Sequence, residues 1–446
     1  MTPKRSFLPT RAVHDTVQRV WQHWIGPGAP FDEPVDLLVA PHDVPVWVST
    51  IQARLPRTAL TEPLAALIHG SGCGLTRLAA QAAACGEAIE RYCASLPPGL
   101  PVVRTSAHAL GLQGIAPSRF ALFAEDQYAT PGWHFRRGTA TTVLNWVAGW
   151  SWTHQRVVSL PTCFVYQEPC MGAGQCLFHA VSTGLACATT AEAARLTGLC
   201  EVLERDAIML AWLYGLELPR LRPPLDDPVL QELYQRIAAT GLHATVLDAT
   251  TPDTDLPVRI ALVEWRAGVS AACAVGMAAH PVALQAHRKA LLEACHTLHW
   301  LHHMQQHDPR PPTAGDAEPF AAFKEHVWHY GRAAAMYALD MWRCGPWQDE
   351  EAGPLPAPAS PSRQFDELVC RLATHGLEVC TVDLTPPEVA QTGFAVVRTV
   401  VPGMQPLTPG RERCLGGIRL RTMATRLTCT ARYGPDRWNP APHPFP

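Results

Sequence analysis

Leu199-Cys200-Glu201-Val202-Leu203-Glu204-Arg205 repeats, with different spacers, the earlier stretch Cys85-Gly86-Glu87-Ala88-Ile89-Glu90-Arg91. Both read Glu-x-x-Glu-Arg among small and aliphatic residues. Glutamates three apart share one face of a helix. Two carboxylates side by side repel, the more so on a buried face. A neighbouring arginine offsets part of that cost. A hard divalent cation, which prefers carboxylate together with phosphate oxygens, offsets more. The plainer alternative is Glu-to-Arg pairing at i, i+4 on a solvated face, worth a few tenths of a kcal/mol. Two copies in apolar helices leave these readings level on the residues alone.

Outward from this pair, Thr189-Thr190-Ala191-Glu192 has the form of a capping box and predicts where the second helix starts. Ser182-Thr183-Gly184-Leu185-Ala186, just before it, would turn backbone N–H groups toward an anion. Arg288-Lys289-Ala290-Leu291-Leu292-Glu293-Ala294-Cys295-His296 forms a third helix, in which Lys289 and Glu293 read most simply as an i, i+4 pair. No Walker A loop, no Gly-x-Gly-x-x-Gly ahead of a helix and no kinase signature occurs. A nucleotide bound here would therefore be held by acidic residues through a metal.

Helical periodicity also predicts Thr76–Ser95, Thr190–Leu213, Pro228–Thr240, Pro281–His302, Phe320–Arg343 and Gln364–His375. Alternation predicts strands at Val35–Val39, Val46–Ile51, Thr142–Trp150, Val157–Val165, Ala244–Leu247, Val258–Trp265, Ala271–Met277, Leu377–Asp383 and Phe394–Val401. This is a mixed α/β (α+β) chain. An N-terminal segment (1–60) holds an amphipathic stretch around Thr16–Trp24. A large domain (61–433) follows, with loops near 307–319 and 344–362, and a proline-rich tail (434–446) ends the sequence. The breaker His307–Pro312 and the proline-dense Gly353–Pro361 mark those loops.

The 446 residues are 47% apolar, enough for a sizeable core, and 36 Lys+Arg balance 39 Asp+Glu. That balance gives no electrostatic case for nucleic acid or an anionic membrane. No apolar h-region follows Met1-Thr2-Pro3-Lys4-Arg5, and no membrane-spanning run occurs. A cytoplasmic location is expected. The 15 cysteines include no Cys-x-x-Cys pair, so reduced, buried thiols are expected rather than a zinc site or disulfide framework. His296, His299 and His303 share one helix face and read as satisfied histidines rather than a metal site. Trp146, Trp150 and Trp152 read as core or subunit interface.

At the glutamate motifs the sequence resembles the YcaO family, over roughly residues 60–420. The family's Ser-x-x-Glu-x-x-Glu-Arg is matched by Ala84-Cys85-Gly86-Glu87-Ala88-Ile89-Glu90-Arg91, followed by Tyr92. Gly72-Cys73-Gly74-Leu75-Thr76 resembles its Gly-Lys-Gly segment. Ser182 to Ala207 is similar throughout, and Lys289 to His296 resembles a third motif. The resemblance implies a YcaO-type catalytic domain with ATP between helices and Mg²⁺ on its phosphates. Glu87, Glu90, Glu201 and Glu204 would be metal ligands. Arg91 and Arg205 would contact phosphates or orient these carboxylates, and Glu293, with Lys289 and His296, would complete the nucleotide site. Three positions depart from the pattern: Ala84 stands for serine, Cys73 for lysine and His296 for glutamine.

Pro440, Pro442, Pro444 and Pro446 alternate, and such a tail resembles the azoline-forming cyclodehydratases. Alternating prolines stiffen an extended segment, which would suit delivery of the Pro446 carboxylate as a general base or orienting group. A frayed end is the plain alternative. The resemblance implies that a Cys thiol or Ser/Thr hydroxyl of a ribosomal precursor peptide attacks the preceding amide. The resulting oxygen takes the γ-phosphate of ATP, and phosphate leaves a thiazoline or oxazoline. It implies an adenylyltransferase-like partner that binds the leader and an FMN-dependent dehydrogenase that oxidises the ring. A homodimer is left open. Thioamide or macroamidine formation, and a non-catalytic scaffold of the same fold, are the competing expectations.

Overall fold

Three mainly antiparallel sheets carry the fold, and each ends at one side in a strand of small residues. The computed structural model describes residues 11–26, 29–37, 39, 43–54, 67–95, 101–167, 176–265, 272–307, 323–350, 359–410 and 412–446. A three-stranded sheet runs Val35–Asp36, Trp47–Arg54, Leu67–Gly74. A five-stranded sheet runs Ala272–Ala279, Val258–Trp265, His243–Asp248, Arg220–Leu221, Trp347–Gln348. A six-stranded sheet runs Val103–Ser106, Val143–Ser151, Cys380–Asp383, Ala395–Val400, Leu185–Ala188, with Arg156–Pro161 also paired to Val143–Ser151. Among the described strands, Trp347–Gln348 pairs parallel with Arg220–Leu221. Leu67–Gly74, Leu185–Ala188 and Ala272–Ala279 are the terminal strands of their sheets.

A long helix lies against each of these edge strands: Arg77–Ala94, Ala191–Tyr214 and Ala283–His307. The first starts where Thr76 accepts the Ala79 N–H at 3.2 Å. Its buried residues Ala80, Ala84 and Ala88 are four apart, about 6 Å of helix rise. Gly70, Gly72 and Gly74 are two apart on a strand, about 6.6 Å. The two repeats are nearly commensurate, so the helix backbone lies directly on the strand. A Cβ on Gly70 would sit 2.2 Å from the Ala84 carbonyl oxygen, and one on Gly72 2.2 Å from that of Ala80. Gly276 is equally tight, 2.2 Å from the Ala294 nitrogen.

The second helix is buried on every side from Asp206 to Tyr214, as its unbroken apolar run requires. Around it packs the largest core, including Trp212, Leu247, Ile260, Val275, Trp342, Leu372 and Phe445. A second core joins Val20 and Trp24 of the N-terminal helix Arg11–Trp24 to Ile89, Val147, Cys380 and Val396.

The expected long elements are present within a few residues, with instructive differences. The stretch Phe320–Arg343 is not one helix. Helix Phe323–Tyr330 stops at Gly331, where a Cβ would lie 2.5 Å from Leu301, and short turns Ala333–Leu339 and Met341–Cys344 follow. Thr190, not Thr189, caps the second helix, accepting the Ala193 N–H at 3.2 Å. Val35–Val39 contracts to Val35–Asp36. Cys176 is disulfide-bonded, which corrects the expectation of reduced thiols throughout; thirteen described cysteines are free. Of the two expected loops, residues 308–319 of the first (307–319) and 351–358 of the second (344–362) lie outside the described residues. The tail is not frayed. Asn439 bonds Leu213 and Trp212 through its N–H and amide, Trp212 donates to the Ala441 carbonyl, Tyr330 donates to that of Pro442 at 2.6 Å, and Phe445 is fully buried. Among the described residues no helix is long and apolar enough to cross a membrane.

Candidate active site

Backbone N–H groups of the three edge strands, and of Gly184 just before the second, are taken by glutamates. Glu87 Oε2 accepts the Ser71 N–H at 2.6 Å, and Glu90 Oε1 that of Cys187 at 2.7 Å. Glu201 Oε2 accepts Gly184 at 2.9 Å, Glu204 Oε2 Ala279 at 2.6 Å, and Glu293 Oε2 Met277 at 3.1 Å. An unpaired sheet edge normally seeks a partner, and a buried N–H must find one. Here one oxygen of each carboxylate does that, which fixes the side chain and leaves the second oxygen for another task.

The helices converge on a cavity of about 420 Å³. Glu90, Glu201, Glu204, Glu293, Arg205, Lys289 and His296 line it, with Ser71, Cys73 and His280. Glu87 and Arg91 do not. They pair with each other beside it, and Arg91 also donates to the His69 carbonyl. Four lining carboxylates thus face two permanent cations. Burial, then the Glu201 charge, raises Glu90 well above the usual carboxylate range, against the Cys187 N–H. Burial and Glu201 push Glu204 up to about 7. Burial and Glu204 push Glu293 up to about 8. A buried acidic stack with too little positive charge is the cause throughout.

The cations are placed to supplement rather than cancel this stack. Arg205 pairs with Glu201 and donates to the Thr183 hydroxyl at 2.7 Å, while its Nε is buried with no partner among the described residues. Lys289 forms no ion pair or hydrogen bond among the described residues, so the expected Lys289–Glu293 pair is not made. The Gly184 N–H serves Glu201 rather than an external anion. His296 Nε2 lies 2.7 Å from the Ser71 hydroxyl, and burial pushes the ring down to about 4, so it is neutral. His280 is likewise pushed down to about 4, by burial and then Lys289. Cys73 cannot replace a lysine's charge, since a thiol is never cationic, and burial, which pushes its pKa up to about 12, keeps it neutral. His299 bonds the Val44 carbonyl, His302 pairs with Asp43, and the His303 and His307 rings stack.

A family model described as "YcaO cyclodehydratase", ATP- and Mg²⁺-binding, matches residues 71–405. This chain belongs to the YcaO family. The YcaO match spans all three glutamate helices and begins within the first edge strand. Among solved structures the chain is similar to a heterocyclase in complex with substrate and cofactor (TM-score 0.76, 23% identity, 96% of this chain and 57% of that one). It is similar to the heterocyclase TruD (0.63, 25%, 82% and 50%). It is also similar to YcaO from Methanopyrus kandleri bound with AMPPCP and Mg²⁺ (0.62, 20%, 90% and 92%). The chain spans about half the length of the first two. An uncharacterized protein of Methanothermobacter thermautotrophicus is 29% identical over 192 residues, covering 40% of this chain and 44% of that protein.

The donor set fits a magnesium–triphosphate group. Each glutamate keeps an oxygen uncommitted to the backbone, the stack lacks positive charge, and Arg205 Nε and Lys289 are available to phosphate oxygens. Among the described residues no three His, Cys, Asp or Glu donors close around one point.

Sequence reasoning missed Ser71, which holds both Glu87 and His296, and the backbone donors of Cys187, Met277 and Ala279. The one signal was composition, Gly70-Ser71-Gly72-Cys73-Gly74 and Leu185-Ala186-Cys187-Ala188, strings of small residues that an approaching helix requires.

Proposed function

We propose that this chain uses Mg²⁺·ATP to convert Cys, Ser or Thr residues of a ribosomal precursor peptide into thiazolines or oxazolines. The observation that carries this is the set of glutamates from three helices, each tethered by one oxygen to a backbone N–H in or next to an edge strand around a single cavity. Membership of a family whose model is described as cyclodehydratase supports it. So does the likeness to heterocyclases, one of them in complex with substrate.

In this reading Glu90, Glu201 and Glu204 are the metal ligands, with Glu87 held beside them by Arg91. Glu293, Lys289, Arg205 and His296 serve the nucleotide, and Arg91 orients Glu87. Bound magnesium supplies charge neutralisation for the transferring phosphoryl group. The protein's own contribution is positioning: the pinned carboxylates need no reorganisation when charge develops, the condition under which fixed electrostatics accelerate a reaction most. Arg205, oriented by Thr183 and Glu201, adds positive charge where phosphoryl oxygens gather it. The substrate thiol or hydroxyl attacks the preceding amide, whose oxygen takes the γ-phosphoryl group and then departs as phosphate. The Pro446 carboxylate is the proposed general base or orienting group for the incoming thiol or hydroxyl, borne on a tail held at Asn439, Ala441, Pro442 and Phe445. We assign 61–433 to the catalytic domain, 1–60 to an N-terminal segment and 434–446 to the tail. A leader-binding adenylyltransferase-like partner and an FMN-dependent dehydrogenase are the proposed companions, in the cytoplasm.

The test is incubation with a Cys/Ser/Thr-rich precursor, the leader-binding partner and Mg²⁺·ATP. Loss of one water per ring with matching ADP and phosphate is expected. Gain of sulfur mass in place of oxygen would make the product a thioamide. Binding of peptide without any ADP would make the chain a scaffold.

A further inference from the structure

The tail and the helix Phe323–Tyr330 meet at two buried histidines, His326 and His443, whose ring nitrogens all face backbone partners. Nδ1 of His326 lies 2.7 Å from the carbonyl oxygen of His443, and its Nε2 lies 3.1 Å from that of Pro409. A carbonyl oxygen only accepts, so both ring nitrogens must carry protons for both bonds to form. With both bonds made, the ring would be an imidazolium. His443 differs. Its Nε2 lies 2.7 Å from the Thr408 carbonyl and so donates, whereas its Nδ1 accepts the Phe445 N–H at 3.3 Å. That ring is neutral, and burial holds it well below the ordinary histidine range. The rings stack, with centroids 3.9 Å apart and planes within 6°. Two imidazoliums so placed would repel, while a cation over a neutral π-ring is attracted.

The loop that receives these bonds also reaches the glutamate helix. The Gln405 N–H donates to Asp206 at 2.7 Å, and Asp206 directly follows Glu204 and Arg205. Thr408 and Pro409, three and four residues on, accept from His443 and His326. A short chain of contacts therefore joins the tail to the second glutamate helix, and His326 bonds both the tail and the loop.

We propose that His326 is a positioning residue: as an imidazolium it fastens the proline-rich tail to the 405–409 loop and so sets the tail's place relative to Glu201 and Glu204. The consequence for turnover rests on the cyclodehydratase reading; the protonation and the fastening do not.

Neutron diffraction from deuterium-exchanged crystals of the full chain reads the protonation directly. Deuterons are expected on both Nδ1 and Nε2 of His326 and on Nε2 alone of His443. A bare nitrogen on His326 overturns the proposal, and this needs no variant to fold. His326→Phe keeps a ring to stack but removes both donors. Amide exchange at Phe445 should then quicken by about tenfold or more, the scale of losing a hydrogen bond from a charged donor. Turnover with precursor peptide should fall by a similar factor while KM for ATP stays within about twofold. His326→Gln, with one amide able to reach one carbonyl, should recover part of both losses. Unchanged Phe445 exchange in His326→Phe overturns the fastening. Absence of turnover in the unaltered protein would sink the cyclodehydratase reading alone, since the neutron and exchange results would stand.

Discussion

Glu90, on the first glutamate helix, accepts the backbone N–H of Cys187, on the edge of the six-stranded sheet, at 2.7 Å. The contact joins two parts of the chain far apart in sequence and fixes a carboxylate whose burial and Glu201 neighbour both disfavour its charge. Glu90→Gln keeps an oxygen for that N–H and removes the charge. The metal-free protein should become more stable, because one member of a repelling stack is gone. ATP turnover should fall by about 10²-fold or more, the scale of losing one preorganised electrostatic group. Thermal melts and ADP release read the two effects. A variant that loses stability along with turnover would show Glu90 to be structural.

The same stack makes the metal-free protein sensitive to pH. Glu204 and Glu293 titrate at about 7 and about 8 in the fold, against an ordinary 4.5. Between those values the folded chain holds protons that the unfolded chain has released. Stability therefore falls as pH rises through this window, the direction set by more protons bound in the native state. With EDTA present, Tm should decline from about pH 5 to about pH 8. Saturating Mg²⁺ with a non-hydrolysable ATP analogue should flatten the decline, since the cation replaces the protons. Equal slopes with and without the ligand would mean that these glutamates do not hold it.

Much of the site is legible in the residues, and what is not has a definite cause. Glu87, Glu90, Glu201 and Glu204 announce themselves because two carboxylates in an apolar helix require compensation. Strands such as Val258–Trp265 announce themselves by β-branched alternation. Leu67–Gly74 and Leu185–Ala188 carry neither signal. Their residues are small because a helix lies against them, and small residues have weak strand preference. These two missed strands thus anchor Glu87 and Glu90, and the turn before the second anchors Glu201. Gly331 ends a helix that periodicity alone would continue, because it packs on Leu301, a contact no local pattern encodes.

Glycine contacts give a paired prediction on the first glutamate helix. A Cβ at Gly72 would meet the Ala80 oxygen at 2.2 Å and the Ala84 nitrogen at 2.5 Å, both backbone, so the helix must move. Gly72→Ala should destabilise by about 1–3 kcal/mol and weaken Mg²⁺·nucleotide binding by displacing Glu87 and Glu90. Gly86 sits on the same helix with nothing within 4 Å of an added Cβ. Gly86→Ala should stabilise by roughly 0.5–1 kcal/mol through helix preference. Denaturant midpoints for the two variants should therefore move in opposite directions. Movement of both the same way would refute the close-packed register.

Behind the glutamate helix lies a buried ion network. Arg419 contacts both oxygens of Asp206, at 2.7 and 2.9 Å, and pairs with Asp253; all three are buried. Asp206 also accepts the Gln405 N–H. Arg419→Met leaves two carboxylates without their shared cation, and breaking a buried pair in this way costs about 3–5 kcal/mol. Asp206→Asn is milder, since Asp253 still pairs with Arg419 and the amide oxygen can still accept from Gln405; about 1–3 kcal/mol is expected. Urea unfolding should rank Arg419→Met below Asp206→Asn. If the network only holds the loop, both variants lose turnover in proportion to the loosening of residues 402–419, read by amide exchange. The reverse ranking, with Asp206→Asn the worse, would mean that the loop depends on the Asp206–Gln405 bond rather than on the buried charge.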